Sequence, residues 1–357
     1  MTTQQAPGNR PGTPGTDSAA GATDHRRSWT AANAATAFKL RGGLVAGIEK
    51  YALLGFFIVA MLVFGETAAG FFTTNNIEIV LGTQAPLAIL AIAAMLPLVV
   101  GQFDLSVVAI AGISSIVLAT TTSRFHQSLI VAIVAAVLAG AVLGLINGLM
   151  VARVGVNAFI VTLAMSTVLQ GVAQGYTGGS TINSGIPASL LSASTGMLWH
   201  IPRGILWLAP MALAMWYLIE QTPYGRHLRA LGSNTSGARL VGLRVRTLTA
   251  STFVMTGVIA AVGGILLVGQ SGDADPQTTL GALLLPALAA VFLGASALRP
   301  GLFNVAGTVL AVYFVAFIVS GLAFLGASTW VEPVLDGSVL AIAVTITTVV
   351  SRKRRTS

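Results

Sequence analysis

From residue 51 onward the chain is a succession of apolar runs, many of them close to the length that crosses a bilayer. They lie at 51–72, 77–100, 104–122, 128–150, 156–176, 204–220, 247–269, 278–294, 302–325 and 332–350. A helix needs about 20 apolar residues to cross the hydrocarbon core. With no water there, a spanning backbone must satisfy its own polar groups, which helices and closed barrels do. Barrel strands alternate polar and apolar residues over segments of about ten, and no run here alternates. The composition agrees: 55% of residues are hydrophobic, 8% are charged, and there are 40 glycines. Soluble domains carry about a quarter charged residues, and frequent Gly and Ala suit close helix packing in lipid. The expected fold is an all-α polytopic membrane protein of about ten transmembrane helices, one or two of them broken or re-entrant.

Prolines locate the irregular places. The run at 77–100 contains Pro86 and Pro97, and the stretch from Pro97 to Gln102 is expected to break a helix within the membrane. Irregular backbone at that depth survives where it faces protein or a wet cavity. Runs 204–220 and 278–294 are short, and residues 177–203, rich in glycine, read as an outer loop or re-entrant element.

Charge sets the topology. With a cytosolic N-terminus and ten crossings, all of the 19 basic residues except Arg124 and Arg203 fall on the inner side. Glu66, Glu78, Asp273, Asp275 and Glu332 fall toward the outer one. This bias fits the positive-inside rule, and one crossing more or fewer would destroy it. The net charge of +8 therefore reflects membrane topology and not nucleic-acid binding. Residues 1–45, rich in Gly, Pro, Thr and Ala, read as a disordered cytosolic tail, and 352–357 as a basic cytosolic tail.

Several chemistries are missing. The chain has no cysteine and three lysines, none of them in a G-x-x-x-x-G-K-[S/T] phosphate loop. Its four histidines, His25, His126, His200 and His227, lack metal-ligand spacing. The reading is of a non-enzyme with no metal or cofactor of its own.

Polar residues inside apolar runs are functional candidates, because each is expensive in lipid unless paired or wet. Asp104 has two compatible readings: cap of the following helix, accepting from the amide of Ser106 or Val107, or contact with a transported solute. Thr162, Ser166, Gln170 and Gln174 recur every fourth residue along one helix face. Asn147 and Asn157 flank the Arg153 connection. Interhelical hydrogen bonding and the lining of a hydrophilic passage both fit them. Gln102, Asp104, Ser106, Asn147, Asn157, Thr162, Ser166 and Gln170 are thus the translocation candidates. Gly140, Gly144 and Gly148 form a ridge for close helix packing.

One hydrophilic insert, 222–246, carries Arg226, Arg229, Arg239, Arg244 and Arg246. Thr222-Pro223 ends a helix, Gly225 and Gly232 allow sharp turns, and Asn234 or Thr235 can cap a short helix near 236–241. Such an element can lie on lipid headgroups or dock on a cytosolic protein.

In chain order, four blocks resemble the permease subunits of ribose-type ABC sugar importers, in the branched-chain amino acid and simple sugar permease superfamily. Residues 101–106, G-Q-F-D-L-S, resemble a G-G-I-D-L-S block, and Gly144 to Gly148 a G-x-x-N-G block. Phe159 to Leu163, Gly171 and Thr177-Gly178-Gly179 resemble F-I-V-T-L…G…T-G-G. Thr222, Gly225, Arg226, Ala230, Gly232, Asn234, Ala238 and Gly242 are similar to the coupling loop of that family. The resemblance implies a permease domain over 46–351 in a bacterial inner membrane, with both termini cytosolic. It implies a cytosolic ATPase that binds ATP and Mg, an extracellular solute-binding protein, and a second permease subunit, identical or different. The cargo would be a monosaccharide or related small polar solute. Gly225, Arg226, Gly232, Asn234, Ala238, Leu240, Val241 and Gly242 would couple to the ATPase, with Ala238, Leu240, Val241 and Gly242 the expected contacts. Leu283 to Ala287 stand where many ribose-type members carry an E-L-D acidic pair, which points away from ribose and toward a neutral sugar or polyol. An ion-coupled secondary transporter is the competing class, and Asp104 is its strongest intramembrane carboxylate.

Overall fold

The computed structural model describes residues 51–280 and 282–356; the tail expected over 1–45 lies outside the described residues. All ten apolar runs are helical. They form α1 (Tyr51–Thr67), α2 (Thr74–Thr83) with α3 (Ala85–Val99), α4 (Val107–Ser123), α5 (Leu129–Leu149) and α6 (Ala158–Thr177). After α7 (Ala188–Thr195) come α8 (Arg203–Trp216), α9 (Pro223–Ser233), α10 (Thr235–Leu240), α11 (Val245–Ser271), α12 (Leu284–Gly294), α13 (Val305–Phe324) and α14 (Val331–Thr356). Wide π turns extend α5 (Met150–Val154) and α8 (Tyr217–Gln221), and a 3₁₀ turn, Pro276–Leu280, precedes the short α12. The chain is an all-α membrane protein. The glycine-rich 177–203 stretch does not cross: α7 and a two-residue hairpin, β1 (Met197–Leu198) with β2 (Ile201–Pro202), fold back over the bundle. The Trp207 indole N–H donates to Ala193 O at 3.1 Å, and the Arg203 guanidinium donates to Ser192 O, fastening this cover.

The expected break at Pro97 is displaced. α3 continues through Pro97 to Val99, and the interruption of the 77–100 run lies at Gln84, between α2 and α3. A proline removes the hydrogen bond to the carbonyl four residues earlier, here Gly82 for Pro86 and Ala93 for Pro97. Both carbonyls are taken by α11. Gln270 Nε2 donates to Gly82 O at 2.9 Å, and the buried Thr256 hydroxyl to Ala93 O at 3.0 Å. With Ala93 O given a donor, α3 has no need to stop at Pro97.

α3 is buried along almost its whole length, with α8, α11, α12 and α13 around it. α11 in turn carries α4 and α5. The expected ridge of Gly140, Gly144 and Gly148 lies against α11, where an added Cβ would strike the carbonyls of Gly257, Phe253 and Ala250. Gly264 of α11 likewise sits on the carbonyl of Ala111 in α4. Lipid tails give helices no hydrophobic reason to associate, so this close backbone packing supplies the attraction.

Gly144→Val should therefore destabilise the detergent-solubilised protein, by about 1–3 kcal/mol for overpacking. Gly55→Val on α1, where a Cβ meets nothing within 4 Å, should leave it unchanged. Thermal unfolding of the two variants side by side checks the pair, and equal losses would contradict the assignment of the ridge.

Candidate functional site

The insert is two helices, not one. Thr222 caps α9 by accepting from Gly225 N–H at 3.5 Å, Pro223 occupies its first turn, and the helix runs on to Ser233. Gly225 and Gly232 are not turns, as expected from the sequence, but helical residues at close approaches. A Cβ on Gly225 would strike the Ile219 backbone, and one on Gly232 the carbonyl of Val99 at the end of α3. Leu228 and Leu231 are buried. The Tyr224 hydroxyl lies 2.7 Å from Ser251 Oγ of α11, and burial pushes the phenol's pKa up while that hydrogen bond opposes the shift. α9 is thus seated on α3 and α11, while Arg226 on its outer side is exposed.

α10 follows after a single residue. Asn234 Oδ1 accepts from Gly237 N–H at 2.9 Å, the capping predicted for this position. At its other end Gly242 takes φ +82°, and Leu243 N–H reaches back to Ala238 O at 3.0 Å, closing the helix as glycine-terminated helices close. Leu240 and Val241 are 89% and 76% exposed, an apolar step on a stiff, doubly capped turn. Ala238, expected as a contact, is 4% exposed and faces inward. Its methyl packs into the hydrophobic core beneath α10.

Four of the polar candidates meet in one buried network at the turn joining α3 to α4. Gln102 N–H returns to Pro97 O at 2.9 Å, and Gly101 takes φ +77°. Asp104 Oδ1 accepts from the Ser106 amide at 2.8 Å and the Ser106 hydroxyl at 2.6 Å, so the capping reading describes its geometry. Asn147 Nδ2 of α5 donates to Ser106 Oγ at 2.8 Å, and Leu105 N–H donates to Thr162 Oγ1 of α6 at 3.0 Å. Asp104 is 1% exposed, and its Oδ2 and Asn147 Oδ1 have no partner among the described residues.

The other candidates lie apart. Gln102 and Asn157 line a cavity of about 250 Å³ shared with Val151, Leu231, Arg239 and Arg246. Asn157 also caps α6, accepting from Phe159 N–H at 2.9 Å. Ser166 is buried farther along α6, and Gln170, half-buried, reaches it at 3.4 Å. At the end of the bundle away from the insert, α3, α12, α13 and α14 enclose a larger cavity of about 400 Å³. Its walls include Gln84, Leu285, Val312, Ala316 and the carboxylate-bearing Glu332 and Asp336. Both acids line this chamber.

Sequence reasoning passed over one further pair. Arg299 Nη2, in the turn between α12 and α13, lies 2.9 Å from Glu220 Oε2 at the end of the second π turn. An acid flanked by the arginines of the basic end of the bundle is the signal that marks it.

Residues 76–344 match the family described as branched-chain amino acid transport system, permease component. The chain is 30% identical over 302 residues to the ribose import permease protein RbsC of Escherichia coli K12, covering 84% of this chain and 93% of that protein. It is 28% identical to the L-arabinose ABC transporter permease protein AraH of Azospirillum brasilense, over 86% of this chain and 89% of the relative. It is 32% identical to the autoinducer 2 import system permease protein LsrC of Photorhabdus laumondii, over 76% and 80%. No solved structure matches.

Thr162→Val should strand the Leu105 amide without its acceptor, at a cost of about 1–3 kcal/mol. Hydrogen exchange should then accelerate at 103–106 while the middle of α3 stays protected; uniform exchange would mean that Thr162 does not pin the turn.

Proposed function

Because the chain belongs to the family of branched-chain amino acid transport system permease components, we propose that it is the membrane-spanning subunit of an ATP-driven ABC importer for a monosaccharide or related small polar solute. The relatives named for ribose and L-arabinose import support the sugar class, and family membership favours this reading over an ion-coupled secondary transporter. ATP and Mg are the business of a separate cytosolic ATPase, since this sequence has no phosphate loop. An extracellular binding protein delivers the solute. The protein lies in a bacterial inner membrane with the insert and both termini in the cytosol, the orientation that the basic residues favour.

The observation that carries the coupling assignment is the Leu240–Val241 step. Two bulky apolar side chains stand almost fully exposed on a turn that is rigid and capped at both ends. A preorganised apolar anchor of this kind suits a pocket on a protein partner. Gly225, Gly232, Asn234 and Ala238 act beneath it by positioning, while Arg226 and Gly242 lie at the surface.

α6 supports a second permease subunit, identical or different. Thr167, Gly171, Gln174 and Gly175 are exposed on it, with Gln170 half-buried beside them. Amides and bare glycine backbone at membrane depth belong against protein or water and not against lipid. Solute passing between two such faces would meet Gln170 and Gln174, with Gln102 and Asn157 at the cytosolic end. Asp104, Ser106, Asn147 and Thr162 shape the turn behind that route.

Solubilised with its ATPase, the tagged wild-type chain should retain ATP hydrolysis, and alone it should show none. Leu240→Asp with Val241→Asp should abolish ATPase copurification without altering thermal stability. Ala238→Leu should reduce both, because it unseats α10. Copurification at wild-type level in the aspartate variant would refute the docking role, and solute uptake by proteoliposomes lacking any ATPase would refute the importer reading.

A further inference from the structure

Glu220 stands two residues before the cap of α9, and its side chain is 4% exposed. Two cations from different parts of the fold act on it, one by direct contact and one through its charge. Arg299 belongs to the turn between α12 and α13 and makes the 2.9 Å ion pair. Arg229 belongs to α9 itself; its Nε and Nη2 are buried without an acceptor, and the charges acting on it are Glu220 and Arg299. Arg299 is 46% exposed while Glu220 is buried, so losing Arg299 leaves a buried carboxylate short of its partner, and the pair ties the segment leading into α9 to the α12–α13 turn.

The turn is stiff. Asn304 Nδ2 lies within hydrogen-bond reach of Gly294 O, Ala297 O and Leu302 O, while its Oδ1 accepts from Gly307 N–H at 2.7 Å. Gly294 and Gly307 pack backbone on backbone, with no room for a Cβ on either. Leu298 takes φ +57° without being glycine, a conformation that persists where its surroundings over-determine it. α12, the turn and α13 therefore behave as one lever. Its far half supplies Leu285, Pro286, Val312 and Ala316 to the 400 Å³ cavity.

We propose that the Glu220–Arg299 pair is the joint that fastens the insert to the α12–α13 lever, so that displacement of the insert by its ATPase moves the wall of the distant cavity. The inference rests on the insert being the ATPase docking element. Glu220 and Arg299 are positioning residues: neither faces the Leu240–Val241 step. Arg229 gives the joint its direction. If Arg299 is lost, Glu220, at the foot of the insert, is left to Arg229 of the insert itself, and the lever comes free.

The chain has no cysteine, so spin-label pairs can be introduced directly. His227→Cys on α9 with Leu302→Cys on the lever, and His227→Cys with Val142→Cys on α5, give two distances in the complex with its ATPase. Each is measured with and without a non-hydrolysable ATP analogue and Mg. In the otherwise wild-type complex the 227–302 distance should stay constant while the 227–142 distance shifts. Glu220→Gln and Arg299→Ala should each make the 227–302 distance broad and nucleotide-dependent, with ATPase copurification unchanged. A 227–302 distance that shifts with nucleotide in the wild-type background overturns the joint, as does one that neither substitution alters. If the wild-type chain holds no ATPase, the docking reading fails first and the joint falls with it.

Discussion

Backbone carbonyls that lose their donors to proline have no water to turn to in hydrocarbon, and the way this chain answers that constraint organises the bundle. Thr256 and Gln270, both on α11, reach the two carbonyls that Pro97 and Pro86 leave open. The same helix accepts the glycine ridge of α5 and presses Gly264 against α4. α11 thus fixes α2 and α3 by hydrogen bonds and α4 and α5 by close backbone contact. An unsatisfied carbonyl at this depth would cost several kcal/mol, more than any single packing contact returns. The prolines consequently act as addresses, each requiring one particular polar side chain of α11 at one height.

That frame explains why the insert can be informative to the membrane region. α11 begins where the insert ends, so Tyr224 against Ser251 and Gly232 against Val99 tie α9 to α11 and to the buried α3. The turn at 101–106 starts immediately beyond Val99. Its polar groups are held by α5 and α6 through Asn147 and Thr162. A displacement of α9 therefore meets the end of α3 by backbone contact, with little side-chain slack to absorb it. Interiors packed this tightly move between discrete arrangements and do not deform continuously.

Much of this was legible in the sequence because the bilayer permits so few solutions. Run positions located every apolar helix, and the spacing of Gly140, Gly144 and Gly148 gave the α5 contact face. Asp104 two residues before Ser106 gave a local cap. Partnerships across the chain were not legible: Asn147 lies 41 residues from Ser106, and Thr162 lies 57 from Leu105. Residue type says that each needs a partner without saying which. α9 was missed for a different reason. Gly225 and Gly232 disfavour a helix by local propensity, and only the backbones of Ile219 and Val99 explain why side chains are excluded there. The inward seat of Ala238 was not legible either, since a small apolar residue in a hydrophilic insert fits a contact surface and an inward-facing seat equally well.

The distribution of polar groups also bears on how such a pathway can work. The single carboxylate at the α3–α4 turn is closed off by Ser106, and the acids Glu332 and Asp336 stand at the opposite end of the bundle. Between them α6 offers amides and hydroxyls without charge. A neutral polar solute can exchange water for such groups at nearly equal free energy, since a hydrogen bond formed in place of one to water is worth only about 1 kcal/mol net. Passage then needs no deep well, and a shallow path lets cargo leave as readily as it enters. In the proposed importer, directionality would then come from which end is open, set through the insert and not by affinity along α6.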